Sequence, residues 1–512
     1  MHSGICSVVS QATVACFTQH AFAPIDLYSP LSTSIRMADS PISFGTDGWR
    51  AIIADTYTFA NLDRVSSATA AWLRNMYGAE ATVVLGHDTR FMSRPFAKRV
   101  ARRVAQAGVQ VYLSDSFVAT PAVSWGTNAY GADAGIVITA SHNPPEYNGF
   151  KLKADFGGPA PPEMVADVES HLTSVSVPNT LPDFDTLVAN KRVKLVDLRS
   201  DFMDALRTAL DIDAIAGSDV RIGHDPMFGA AQGLVTGLLS SDQVETVRDE
   251  INPSFQGTPP EPIARNLQPL SELVQAHDLD VGIANDGDGD RIAMVDETGT
   301  YVSAHRLLAL LVKYMHEERG LSGPIVKTFS TTHMLDKMAE AYGLPIETTP
   351  IGFKYIASKM AAGNVLVGGE ESGGIAAQGH IPERDGVYIG LLVVEMMVKR
   401  GMTLSALVQE LLDAFGPHYT YRDDLHITDA QKADALDRLD AHGGLDTING
   451  AAVTELRTLD GYKHITNTGW LLIRPSGTEP VLRVYSEAES PEAAKALVKD
   501  ASEQLGLAEA AH

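Results

Sequence analysis

Through most of the chain, short apolar runs alternate with longer segments whose apolar positions recur every three or four residues, as strands and helices do in an α/β architecture. The run at 82–85 predicts a strand, and Phe96, Val100 and Val104, spaced by four, predict a helix. Lys98, Arg99, Arg102 and Arg103 occupy its other faces, which reads as a solvated basic surface. Runs at 110–113 and 135–139 continue the alternation, with Thr120-Pro121 opening a helix between them. A proline-rich stretch at 157–185 breaks the pattern and sets a boundary near Pro182. A second unit follows, with strands at 220–223 and 280–284 and a small-residue helix from Gly229. In the third, an apolar helix at 307–314, a strand at 325–327, a helix opened by Ser330 or Thr331 and a strand at 365–367 lead to a last helix at 402–415. Beyond it the character changes: strands within 419–427, 453–457, 470–473 and 481–485, with helices from Asp429 and Pro491, make an α+β module. The expected fold class is α/β, with domains at 40–186, 187–299 and 300–415, a C-terminal α+β domain at 416–512, and a disordered N-terminal extension at 1–39. No internal sequence repeat is visible, although the three α/β units could share a fold.

Composition narrows the function classes. The chain has 512 residues, 45% of them hydrophobic, and contains no apolar run near the ~18 residues of a membrane span. A net charge of -24 argues against nucleic-acid partners. An anionic small substrate would need a locally positive cleft. Both cysteines, Cys6 and Cys16, precede the folded body, which leaves it no disulfide framework or thiol zinc site and suits a reducing cytoplasm. Residues 1–36 hold no lysine and reach their first arginine at Arg36, unlike a secretory leader. They read as disordered, or as an over-extended start with Met37 as initiator.

The densest chemistry lies at 135–153, GIVITASHNPPEYNGFKLK. The apolar run Ile136 to Ile138 breaks into Thr139-Ala140-Ser141-His142-Asn143 and two prolines, so Ser141 sits at a strand's end. His142 is a candidate base, but a neighbour in an extended segment points the other way, which argues against a hydrolase triad. Ser141 could instead carry a phosphoryl group; taken alone, the same residues form an ST-turn. Phe44 to Arg50, FGTDGWR, is a glycine-bracketed turn able to present N–H groups to an anion, followed by the fixed charge of Arg50. After the strand at 280–284, Asp286, Asp288 and Asp290 alternate with two glycines, which allows three carboxylates to meet a hard cation such as Mg²⁺. Their spacing mimics an EF-hand, yet its glycine position holds Arg291 and the flanks read as strands, so that motif is rejected. Gly352-Phe353-Lys354 and GGEESGG, with Glu370 and Ser372 between glycine pairs, could meet sugar hydroxyls. RPSGTEP, at 474–480, suits a phosphate dianion.

Together and in this order, FGTDGWR, TASHNP, DGDGDR, GEESGG and RPSGTEP resemble the α-D-phosphohexomutase family from about Ser40 to the C-terminus. The resemblance implies three related α/β domains with mixed sheets and a C-terminal α+β domain around a central active-site cleft. It implies interconversion of hexose 1- and 6-phosphates through a phosphoserine at Ser141, with Mg²⁺ held by Asp286, Asp288, Asp290 and Ser141. Arg50, His142, Lys151 and Arg291 match positions lining the reacting phosphate. Lys354, Glu370 and Ser372 match the sugar site, and Arg474, Ser476, Gly477 and Thr478 the distal phosphate site. Glu-Glu-Ser and Gly-Phe-Lys are similar to the glucose-type members, so the expectation is a phosphoglucomutase working through glucose 1,6-bisphosphate, with a phosphomannomutase or dual activity as runner-up. Phosphoglucosamine mutase, a phosphoserine-dependent hydrolase and a non-catalytic sugar-phosphate binder remain as alternatives. The expected partners are small hexose phosphates, with no nucleic acid or membrane, for a cytoplasmic monomer or homodimer.

Overall fold

The computed structural model describes residues 42–507 apart from Thr46 and 477–480. The expected extension at 1–39 lies outside these residues, as do Gly477 and Thr478. The first sheet contains β1 (Trp49–Ile52), β2 (Thr82–His87), β3 (Gln110–Ser114), β4 (Ala134–Ile138), β5 (Tyr147–Ala154), β6 (Gly158–Pro159) and β7 (Val193–Val196), in the order β1-β5-β4-β2-β3-β7 with β6 on β5. The second contains β8 (Ile222–Asp225), β9 (Val244–Thr246), β10 (Val281–Asn285), β11 (Ile292–Asp296) and β12 (Tyr301–Val302), ordered β12-β11-β10-β8-β9. The third runs β14-β13-β15-β16 from β13 (Ile325–Thr328), β14 (Ile346–Thr349), β15 (Val367–Gly369) and β16 (Ile375–Ala377).

These three sheets share one connectivity. Starting from β2, β8 and β13, four successive strands lie in the spatial order second, first, third, fourth; the first three are parallel and the fourth is antiparallel. Parallel neighbours require crossovers, and helices supply them, such as α2 (Ser93–Gln106) and α3 (Thr120–Ala129) in the first domain, where α1 (Phe59–Tyr77) precedes β2. The reversal from third to fourth strand needs only a loop. Those three loops carry TASHNP, DGDGDR and GEESGG. Strands β4 and β10 are buried along their whole length, which is why they read as continuous apolar runs rather than alternating ones.

Several expectations are corrected. Strand β7 pairs in parallel with β3, so the first sheet takes in chain beyond the boundary expected at 186. Arg103 is buried, and Arg99 and Arg103 both donate to the Asp63 carboxylate at 2.6–2.8 Å, so α2 is docked on α1 through charges rather than solvated there. Positive φ at Met227 and Phe228 turns the backbone where a helix from Gly229 was expected, leaving only Leu234–Leu238 helical. The helix after β13 begins at Met334, not Ser330 or Thr331.

The C-terminal unit has an antiparallel five-stranded sheet and two helices, Asp429–His442 and Pro491–Gln504. It has a hydrophobic core of its own, whereas one apolar cluster runs continuously from the first domain through the third. The buried helix Gly386–Arg400 contributes to that shared cluster, and just before it Glu383 Oε2 accepts hydrogen bonds from Lys153 Nζ at 2.6 Å and Ser124 Oγ at 2.9 Å. Both members of this pair are fully buried and join the first domain to the third. Removing one strands the other's charge, so Glu383→Gln should cost about 3–5 kcal/mol, and Lys153→Met with Glu383→Leu much less than twice that. Urea midpoints of the single and double variants check this.

Candidate active site

At the end of β4 the chain turns sharply, because Ser141 adopts a left-handed φ of 53°. Its N–H is held by Thr139 Oγ1 at 2.9 Å, and its Oγ donates to Asp286 Oδ2 at 2.8 Å. His142 does not point away as an extended backbone would require. The left-handed residue breaks the alternation, and His142 Nδ1 lies 3.3 Å from Ser141 Oγ. Burial, and then Arg291 and Arg50, push the imidazole well below its usual range, so the ring is neutral.

The turn between β10 and β11 gathers Asp286, Asp288 and Asp290, with one carboxylate oxygen from each lying within 4.8 Å of the others. Gly287 makes this approach possible, since a Cβ there would lie 2.4 Å from the carbonyl of Ser141. Asp288 Oδ2 accepts from Thr120 Oγ1 at 2.5 Å and Lys151 Nζ at 2.8 Å. Asp290 Oδ2 accepts from Lys151 Nζ at 3.0 Å and Arg384 Nη2 at 2.6 Å. Asp47, in the FGTDGWR turn, binds the same two cations, at 2.7 Å from Lys151 and 2.5 Å from Arg384. Burial alone would lower the Lys151 ammonium, but Asp288, Asp290 and Asp47 outweigh it and hold the group well above its ordinary range. Asp286 is also pushed up, by burial and by its two neighbouring aspartates. The second oxygens of Asp288 and Asp290 are buried without a hydrogen-bond partner. A cluster of carboxylate oxygens with orphaned lone pairs fits a hard divalent cation.

The remaining expected residues lie around this centre or beyond it. Arg50 donates to Asn143 Oδ1 at 2.8 Å, and the Arg291 N–H donates to Asp286 Oδ1 at 3.1 Å. Lys354, at the start of the helix Phe353–Ala362, lines a cavity of about 200 Å³ with Asp47, Gly48 and Leu152. Glu370 is buried, its Oε1 accepting from the Gly352 N–H at 3.1 Å, while Ser372 is partly exposed. Arg474 Nε donates to Asp460 Oδ1 at 2.9 Å, and Asp460 Oδ2 accepts from the Ile351 N–H at 2.8 Å, which ties the RPSGTEP strand to the turn beneath Glu370. Ser476 is buried at that strand's end. Asp47, Thr120 and Arg384 were missed by the sequence reading. Asp47 lies within FGTDGWR, but Arg384 belongs to no glycine-rich or repeated pattern.

Four family descriptions match the chain: phosphoglucomutase/phosphomannomutase alpha/beta/alpha domains I, II and III at residues 41–177, 200–299 and 303–415, and the C-terminal domain at 425–504. A phosphoglucomutase/phosphomannomutase of Thermococcus kodakarensis is 31% identical, over 88% of this chain and 96% of its own. A probable phosphoglucosamine mutase of Pyrococcus abyssi is 30% identical over 90% and 96%. Among solved structures, a putative phosphomannomutase from Thermus thermophilus superposes with a TM-score of 0.79 at 33% identity, covering 91% of this chain and 99% of that one. Three α/β units and a C-terminal module around a buried serine and carboxylate triad define an enzyme of sugar-phosphate isomerisation. The chain belongs to the phosphoglucomutase/phosphomannomutase family, the α-D-phosphohexomutases.

Glu370 generates a pH test. Burial raises its carboxyl from 4.5 to about 7, with Arg384 opposing. The folded state therefore binds the proton that the unfolded state releases, so stability falls as pH rises from about 4.5 to about 7 and levels off above it. Across that window the wild type should lose about 3 kcal/mol relative to Glu370→Gln, read from paired urea midpoints.

Proposed function

We propose that this phosphohexomutase is a phosphoglucomutase, interconverting glucose 1-phosphate and glucose 6-phosphate through phospho-Ser141 and a glucose 1,6-bisphosphate intermediate. The hydrogen bond from Ser141 Oγ to the buried Asp286 carboxylate, inside a ring of fixed cations, carries the reading. Asp286, Asp288, Asp290 and Ser141 would hold Mg²⁺, which when bound supplies Lewis-acid charge to a phosphoryl oxygen. In the first transfer the Ser141 Oγ–P bond breaks, a bond forms from phosphorus to the free sugar hydroxyl, and that hydroxyl's proton passes to Ser141 Oγ to restore the serine hydroxyl. His142, neutral and 3.3 Å away, can hold a proton at Ser141 Oγ. The bisphosphate then presents its other end, and the reverse step restores phospho-Ser141. Lys151, Arg291 and Arg50 balance the charge of the group in flight.

Both carboxylates of the sugar loop already have partners, which supports a neutral hexose over an aminosugar. Glu371 Oε2 is occupied by Ser330 Oγ at 2.5 Å and Thr328 Oγ1 at 3.3 Å, and Glu370 faces Arg384 with its carboxyl raised to about 7. Phosphomannomutase activity on the same site is the second reading, supported by the names of the similar proteins.

Glucose 1-phosphate, Mg²⁺ and a trace of glucose 1,6-bisphosphate should yield glucose 6-phosphate and negligible free phosphate. Ser141→Ala should abolish turnover. Release of phosphate instead would make the enzyme a hydrolase, and a kcat/KM highest for glucosamine 1-phosphate would overturn the substrate choice. Arg474 would grip the 6-phosphate in one half-reaction and the 1-phosphate in the other. Its loss removes a charge-assisted contact of roughly 1.5 to 3 kcal/mol from substrate and product alike. Arg474→Ala should therefore raise KM by about tenfold or more in both directions. An effect in one direction alone would imply two separate phosphate anchors.

A further inference from the structure

The loop carrying Ser141 is gripped from beneath by a side chain with no role in the chemistry above. Arg90, in the turn between β2 and α2, is 3% exposed. Its Nη2 donates to the carbonyl oxygens of Ser141 at 2.5 Å and Asn143 at 2.6 Å, and its Nη1 to those of Pro144 at 2.8 Å and Tyr147 at 3.2 Å. Its Nε faces Asp88 Oδ2 at 3.3 Å. The other oxygen of Asp88 accepts from Ser93 Oγ at 2.6 Å and the Arg90 N–H at 3.0 Å, which anchors the cation to the first turn of α2. Phe255, from the second domain, lies 4.9 Å from the guanidinium carbon.

Four backbone carbonyls converging on one point repel one another unless a cation satisfies them. Here they belong to a segment whose first residue, Ser141, holds a left-handed φ that L-residues adopt at a cost. Turning the Ser141 carbonyl down onto Arg90 also fixes the peptide plane against which Gly287 packs. Ser141 Oγ itself reaches Asp286 Oδ2 at 2.8 Å, so the clamp and the reactive hydroxyl share one backbone unit. A planar fork with five donors can satisfy this arrangement, whereas an ammonium, a compact charge with three, cannot reach all of it.

We propose that Arg90 is the positioning residue of the phosphoryl-carrying serine: it holds the 141–147 loop in its reactive conformation and touches neither substrate nor phosphoryl group. The inference rests on Ser141 being the carrier. In the full-length enzyme, Arg90→Ala should lower kcat by about 100-fold, the cost of a misplaced reacting group. KM should stay within about threefold, because ground-state binding is left intact. Phosphorylation of Ser141 by glucose 1,6-bisphosphate, followed by intact mass, should slow in parallel. Arg90→Lys should recover no more than about a tenth of the lost rate, and added guanidinium should reactivate Arg90→Ala more than methylammonium does. Should the alanine variant not fold, the lysine variant decides. Either variant keeping kcat within about threefold of wild type would overturn the proposal, as would a loss wholly explained by folded fraction or carried by KM. Ser141→Ala, run alongside, separates the two failures. If it is dead while Arg90→Ala is active, only the clamp falls; if it is active, the carrier assignment itself falls.

Discussion

The site depends on one buried ammonium. Lys151 reaches from β5 into a pocket where Asp47, Asp288 and Asp290 each approach it within 3.0 Å. At an effective dielectric constant near 20, two unit charges ~4 Å apart interact by about 4 kcal/mol, so aspartates this close could not remain packed on repulsion alone. Lys151 neutralises part of that charge from the first domain and Arg384 adds a second cation from the third. Each ligand-bearing turn is therefore stable only when its neighbours are in place.

The shared sheet order explains how three separate chain segments deliver their chemistry to one place. In each α/β unit the third strand is parallel to its predecessors and the fourth is not, so the loop between them leaves the sheet at its carboxyl end without a covering crossover helix. The strand order itself reverses between the first and third strands, and the crevice that such a reversal leaves at the carboxyl ends lies beside this loop. One such loop holds the serine, the next the carboxylates and the third the buried Glu370. The fold repeats a position rather than a residue pattern, which is why no repeat is visible in the sequence.

Glycine has two distinct uses in the aspartate turn. Gly289 has a φ of 74° and lets the turn close, whereas Gly287 is needed because any Cβ would strike the Ser141 carbonyl from the neighbouring domain. The first requirement is local and can be guessed from an alternating Asp-Gly run. The second is a contact across 146 positions of chain, 287 minus 141, and is invisible until both loops are placed.

What the sequence determined was local and periodic. Continuous apolar runs such as 136–138 marked buried strands, Pro144 and Pro145 ended one of them, and a close-set trio of aspartates marked a candidate cation site, because hydrophobic period, proline geometry and charge density act over a few residues. The tertiary structure alone decided what depends on residues far apart in the chain. Alternation set His142 opposite Ser141 until the left-handed turn reversed it. Arg103 read as solvated until Asp63, 40 positions away, paired with it. Arg90 and Arg384 carried no motif at all, since a guanidinium's role is set by which carbonyls and carboxylates the fold brings to its five donors, and those come from other strands, loops and domains.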